Sequence, residues 1–407
     1  MVKGNRDDAT AWYSLGLAYR KSNDPANAVK NFSAALTARP DDEVARIGEE
    51  ATALESLPMN DPQRRTMAAY HLTQGRAFDD RSYLEKALAE YRRAVLLDPT
   101  SPNDARLGFA RIYKILGFPA KYLSDLQVLS GLGSKDTFVS DEIDRLNSAL
   151  SDSVSHAWGV DHQYELPRSR YVIPVYTISG GNRLVHALAS DDLAKYFAVL
   201  LERSDSIKSP TDFAPGVTGW DKAFQAARTA RNDYFALLTI DEADRSFSAT
   251  VDMYLARTGA RIASFAAFRT GNDRVRDSLM KLAAQVADLL PAKGSLLNRK
   301  FGQGLIDLGS FQGMKKNDAL VIVRKGRVQL RSDGPGLTYD DNDVLGDFRI
   351  TGLDEAVAEG TVTGRGYFDY VNTGDHVLYP VKKEAAPTVS PAQRSPNILT
   401  RIFRIGG

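Results

Sequence analysis

Residues 9–42 read ATAWYSLGLAYRKSNDPANAVKNFSAALTARPDD. Large and small side chains recur at helical steps in both halves, with a polar break between them. Gly16 and Ala28 are small enough to let two helices approach closely. Trp12, Tyr19 and Phe32 are large enough to fill the space between successive helix pairs. One such pair cannot bury its own apolar face, so the segment predicts a stack of several.

The spacing resembles the 34-residue tetratricopeptide repeat. Trp12, Leu15, Gly16 and Tyr19 fall at the signature places of its first helix. Ala28, Phe32 and Ala35 fall on the second, and Pro40 closes the unit. A second copy runs from Ala68 to Ser101, matching at Gly75, Phe78, Ala87, Tyr91, Ala94 and Pro99. It departs at His71 and Gln74, where Trp and Leu belong. EVARIGEEATALESL between the copies reads as a helical half repeat, and a degenerate third unit is expected from Pro102 to about Leu129. The resemblance implies a concave groove that binds a partner segment. Its projected lining is Tyr13, Leu17, Arg20, Leu72, Arg76 and Asp79. The subclass that clamps chaperone tails carries Lys and Asn where this chain has Tyr13 and Leu17, so that specificity is not implied.

Beyond the polar stretch 131–168 the texture changes. YVIPVYTI, 171–178, is β-branched and aromatic and predicts a strand. ASDDLAKYFAVLLERS, 189–204, is helical by period, with Ser190 as the expected N-cap. A short strand near Ile207 and the helix TGWDKAFQAARTARN follow. Next come DYFALLTIDE and a hairpin of FSATVDMYLART and RIASFAAFRT that turns at Gly259. The helix VRDSLMKLAAQVADLL closes the region before Pro291.

DYFALLTIDEADR, 233–245, has the look of an ATPase metal-binding strand. That chemistry needs a glycine loop whose amides cradle phosphate, with an attached lysine. No GxxxxGK[ST] occurs. The nearest stretch, SGGNR after the first strand, lacks both the lysine and the hydroxyl ligand. Asp241–Arg245 therefore reads as a polar strand end and turn.

The order of these elements resembles the TolB amino-terminal domain, the curli-secretion channel subunit and the penicillin-binding-protein activator lipoproteins. YVIPVYTISGG, NDYFALLTI and the TVDMYLARTGARIASF hairpin carry the likeness. It implies a mixed α+β binding and assembly module of the bacterial envelope, without catalysis.

In the last third, GQGLIDLGSFQGMKKNDALVIVRKG, 302–326, reads as strand, turn and strand. Gly309 and Gly313 are expected in turns that need positive φ. DEAVAEGTVTGRGYFDYVNTGDHVLYP repeats the texture, so a small SH3-like β-barrel is expected. This pair of segments resembles the carboxy-terminal domain of flagellar assembly protein T, around Leu308-Gly309-Ser310, Gly313 and Asp318. The resemblance extends to a TolB-like domain preceding the barrel and departs at the front, where the repeats stand in place of that protein's own amino-terminal domain; the combination looks more like spirochaete periplasmic flagellar collar proteins. After Lys382 a proline- and serine-bearing linker leads to ILTRIFRIGG. Ile398, Leu399, Ile402, Phe403 and Ile405 form one apolar stripe at helical spacing, with Arg401 and Arg404 opposite. Such a segment docks either on its own chain or on a neighbouring subunit.

Composition narrows the chemistry. Of 407 residues, 52 are basic and 51 acidic, a net charge of +1 that favours neither nucleic acid nor an anionic membrane. No cysteine is present, which excludes disulfides and thiolate metal sites. HAWGVDH, around His156 and His162, matches no metal spacing, and Asp340-Asp341-Asn342-Asp343 lacks the calcium-loop register. No cofactor, metal or catalytic group is expected.

The sequence thus predicts a repeat array over 1–130, a connector over 131–168 and a TolB-like domain over 169–292. A β-barrel over 298–382 and a linker with an amphipathic tail over 383–407 complete it. The expected role is a non-enzymatic envelope scaffold, periplasmic and oligomeric, most like a flagellar motor assembly or collar component. The alternative is a periplasmic adaptor or regulator of peptidoglycan synthesis or secretion. Met1-Val2-Lys3 runs almost straight into the first repeat, which leaves room for a leader or anchor ahead of this sequence.

Overall fold

A computed structural model describes residues 8–100, 104–168, 170–178, 183–211, 217–332 and 334–381. The first part is a helical stack. Its members are α1 (Ala9–Lys21), α2 (Pro25–Ala38), α3 (Glu43–Ser56), α4 (Pro62–Asp79) and α5 (Leu84–Leu97), then α6 (Asp104–Ile115), α7 (Pro119–Gly131), α8 (Thr137–Ala149) and the short α9 (Val154–Ala157). Aspartates start the first four, at Asp8, Asp24, Asp42 and Asp61. Each carboxylate accepts a first-turn amide that has no helical partner. The helices pair as α1 with α2, α4 with α5 and α6 with α7, and α3 packs between the first two pairs. Tyr91 fixes one close approach: a Cβ added at Gly75 would lie 2.4 Å from its ring. α8 shares a buried core with α7 through Leu126, Val139 and Leu146, so the connector prolongs the stack.

The middle part holds β1 (Tyr171–Val172), β2 (Val175–Thr177), α10 (Ser190–Leu201), β3 (Ile207–Lys208) and α11 (Trp220–Thr229). β4 (Tyr234–Glu242), β5 (Ser246–Leu255), β6 (Arg261–Thr270) and α12 (Arg274–Leu289) follow. The sheet runs β2-β4-β5-β6, parallel at the first pairing and antiparallel after it. β4 is apolar on both sides because both sides are covered. Tyr234, Ala236, Leu238 and Ile240 join the core under α10 and α12, while Phe235 and Leu237 join Ala223 and Ala227 of α11. Two expectations are corrected. The run 171–178 is two strands in different sheets, since Pro174 between them has no N–H to give a ladder. Ser190 is the first helical residue, and the cap position belongs to Ala189 without a side-chain bond.

The last part comprises β7 (Lys293–Lys300), β8 (Gln303–Ile306), β9 (Ala319–Val323), β10 (Gln329–Leu330), β11 (Leu337–Thr338), β12 (Val344–Leu353), β13 (Ala358–Gly364) and β14 (His376–Leu378). Six of them close a barrel in the order β12-β13-β8-β7-β14-β9. Its first strand, KGSLLNRK, opens at Lys293 and was not anticipated: only Gly294 and Leu296 are buried, too few for a visible alternation. Gly309 has an extended φ of −138°, so positive φ is not its reason. A Cβ there would lie 2.4 Å from the Glu355 carbonyl oxygen, and glycine allows that approach. Gly313 does take the left-handed conformation, at φ 80°. Asp340–Asp343 form a single turn, exposed at Asp340, Asp341 and Asn342 and half-buried at Asp343, in which Asp340 accepts the Asn342 amide.

Candidate functional site

The three parts are fastened by carboxylates that reach from one part into another. His71, on α4, is buried between Glu90 of α5 (Nδ1 to Oε2, 2.6 Å) and Glu50 of α3 (Nε2 to Oε1, 2.7 Å). Arg93 donates twice to Glu50, at 3.0 and 2.7 Å, and Arg276 of α12 donates to Glu90 at 3.0 Å. Glu43 of α3 accepts the Val275 amide at 2.8 Å, capping the start of α12 from across the joint. Burial would raise Glu50 and Glu90. The Arg93 and His71 charges outweigh it at Glu50, and the His71 hydrogen bond leads the opposing effects at Glu90, so both are held down to about 2. Burial works against the His71 cation, yet Glu50 raises its pKa above the ordinary value. Glu43 goes the other way: lost solvation pushes it up to about 7 against the pull of Arg276.

A second histidine repeats the motif. His186, before α10, bonds Glu242 through Nδ1 at 2.7 Å and Asp42 through Nε2 at 3.0 Å. Burial would lower its pKa, but the two carboxylates raise it to about 9. Glu242 ends β4, so this carboxylate of the ATPase-like stretch is spent on the joint, while Asp241 is exposed. Residues 179–182 of SGGNR lie outside the described residues.

The barrel is fastened similarly to the end of the stack. Glu355 accepts the Lys121 amide at 2.9 Å at the start of α7 and the Tyr164 hydroxyl at 2.6 Å. Asp354 accepts the Ser155 amide at 2.7 Å at the start of α9. Phe311 lies edge-on to Phe118 and Tyr164.

These joints use part of the projected groove. Tyr13 is 2% exposed, its hydroxyl donates to the Ala187 carbonyl at 3.2 Å, and its ring packs edge-on against His186. Arg20 donates to both oxygens of Asp192, at 3.0 and 2.7 Å, and to Glu55 at 2.9 Å. Leu17, Leu72 and Asp79 are half-buried, and Arg76 is exposed and paired with Asp104. The structure brings Tyr13 and Arg20 to the middle part and leaves the other four on the array. Ile398, Leu399, Ile402, Phe403 and Ile405 lie outside the described residues. Sequence reasoning missed both histidine clusters. The signal for one was present: His71 stands where the repeat carries Trp.

Two further surfaces stand out. At one end of the barrel Phe301 is 100% exposed, Tyr367 96%, Phe368 62% and Tyr370 56%. Arg299 ties their two loops together, donating to Asp369 at 2.9 Å and to the Phe301 carbonyl at 3.2 Å. Solvated aromatic rings in such a group mark contact surfaces. Between α3, α5 and α10 lies an apolar cavity of about 330 Å³.

Comparison with known proteins places a tetratricopeptide-repeat model on residues 9–42 and a model for the second domain of a family on residues 170–288. Among solved structures, the PelC dodecamer of Paraburkholderia phytofirmans aligns at 19% identity over 30% of this chain and 86% of that one, with a TM-score of 0.21. PilF of Pseudomonas aeruginosa aligns at 18% over 39% and 74%, with a TM-score of 0.20. TolB of Acinetobacter baumannii aligns at 12% over 47% of each chain, with a TM-score of 0.23. At these scores the alignments carry no argument. A comparison with curated protein sequences finds no match. The chain therefore carries tetratricopeptide-like helical repeats, a protein-interaction architecture, ahead of a β-rich region with a closed six-stranded barrel.

Proposed function

We propose that this chain is a non-enzymatic scaffold of the bacterial envelope, working in the periplasm as a flagellar motor assembly or collar component. The observation that carries the binding role is the group of four exposed aromatic rings at the barrel tip, held by Arg299. The envelope setting rests on the order of modules: repeats, then a segment read as TolB-like, then a barrel read as like that of flagellar assembly protein T. The buried ionic joints support a scaffold that presents its surfaces in fixed relation. On the array, Leu17, Leu72, Arg76 and Asp79 are the groove positions assigned to a partner, while Tyr13 and Arg20 serve the joint.

The test is a cross-linked pull-down of tagged full-length protein from its native cell, with envelope and cytosol separated first. Flagellar motor proteins in the envelope fraction are the expected result, reduced when Phe301 and Phe368 are changed to serine. A one-to-one complex with a cell-wall enzyme would replace the collar by an adaptor of peptidoglycan synthesis. Recovery of cytoplasmic partners alone would overturn the envelope setting.

A further inference from the structure

The cavity between the array and α10 is unlike the joints on either side of it. Ile47, Ala51 and Leu54 of α3, Leu96 of α5 and Val199 of α10 make its walls apolar. Leu96 is 41% exposed, a large aliphatic side chain left open to water. Tyr196, 8% exposed, also lines the cavity. The cavity accommodates apolar side chains.

We infer that this cavity receives apolar side chains of the stripe of residues 398–405 from a second copy of the chain. The inference rests on the scaffold reading and names one contact within it. Residues 382–397, sixteen in all, separate the stripe from Val381. Extended, they span up to about 55 Å, well beyond the roughly 22 Å radius of gyration expected for a chain of this size. Val381 is tied to the barrel, its amide donating to the Tyr339 hydroxyl at 3.2 Å. The cavity is walled by the array and α10, so the segment leaves from one module and the receptor belongs to another. That head-to-tail arrangement repeats from copy to copy and generates a ring where the rotation closes. Charge fits as well. The carboxylates lining the cavity are already paired, Glu55 with Lys195, Asp192 with Arg20 and Glu50 with Arg93, so its wall presents an apolar segment with no uncompensated carboxylate. At about 330 Å³ the cavity is at the small end of ligand-receiving sites, the size for a few side chains of a peptide.

The test places a photo-cross-linking phenylalanine analogue at position 403 of the purified full chain, mixed from isotopically heavy and light preparations. Mass spectrometry then maps the links. The expected result is heavy-to-light linkage to residues 47–54, 96 and 199, together with a multimer in solution. Leu96→Glu, a change at an exposed position, is expected to reduce the links at least tenfold without altering the melting temperature. Links within single chains only, or links to the barrel tip or to β6, the free edge of the sheet, would overturn the inference. A motor-protein pull-down that succeeds while these links fail would leave the scaffold reading standing and remove this contact alone.

Discussion

Arg276 of α12 and Glu90 of α5 lie 186 positions apart in sequence, and their side chains meet at 3.0 Å with 5% and 3% exposure. The pair joins the middle part of the chain to the repeat stack. A buried ion pair gains little over an apolar replacement of both partners, but removing one partner leaves an uncompensated charge.

Arg276→Met therefore strands part of the Glu90 charge, although His71 still bonds it. The expected loss is about 3 kcal/mol, the lower end for breaking a buried pair. Urea denaturation followed by fluorescence reads this. A loss under about 1 kcal/mol would mean that the joint is wetter than the structure has it.

Stability should peak on the acid side of neutrality. Glu50 and Glu90 have folded pKa values below their unfolded ones, so their contribution is present above about 4.5 and is lost as pH falls toward 2. His186 has a raised pKa, so its contribution is complete below about 6.5 and is lost as pH rises through about 9. Glu43 and Glu49 are carboxylates raised to about 7, and each costs stability as pH climbs from about 4.5 to that value. The melting temperature is expected to be highest near pH 5 and to fall on both sides. His186→Gln should flatten the limb between pH 6.5 and 9, and Glu43→Gln the limb below it. A flat profile from pH 5 to 9 in the unaltered protein would contradict these assignments.

Gly75→Ala inserts a methyl against the Tyr91 ring, which is also hemmed in by Gly108, and is expected to cost about 1–3 kcal/mol. Gly131→Ala, at the last position of α7 with open space around it, removes a flexible residue from a helix. A gain of up to about 1 kcal/mol is expected there. Thermal denaturation of the two variants side by side separates packing from helix propensity.

Phe301→Ser with Phe368→Ser removes two exposed rings that contribute little to the barrel core. Stability is expected to stay within about 0.5 kcal/mol of the parent, while recovery of partners from the envelope fraction falls several-fold. A lowered melting temperature with unchanged recovery would make these rings structural.

Elements whose apolar residues recur at a helical or strand period could be read from the chain alone. The repeat helices through Trp12, Phe32 and Tyr91, the doubly covered β4 and the Gly259 hairpin were legible because each reports its own burial locally. KGSLLNRK was not, because only two of its eight residues are buried. Nor were the joints. His71 showed itself only as a departure from the repeat, and its meaning required Glu50 and Glu90 beside it. His186 collects Asp42 and Glu242 from 144 and 56 positions away, and Glu355 caps a helix 235 positions earlier. Isolated polar residues have no period and no preferred neighbour along the chain. Their partners were chosen only when tertiary packing excluded water from them and left each buried charge requiring another.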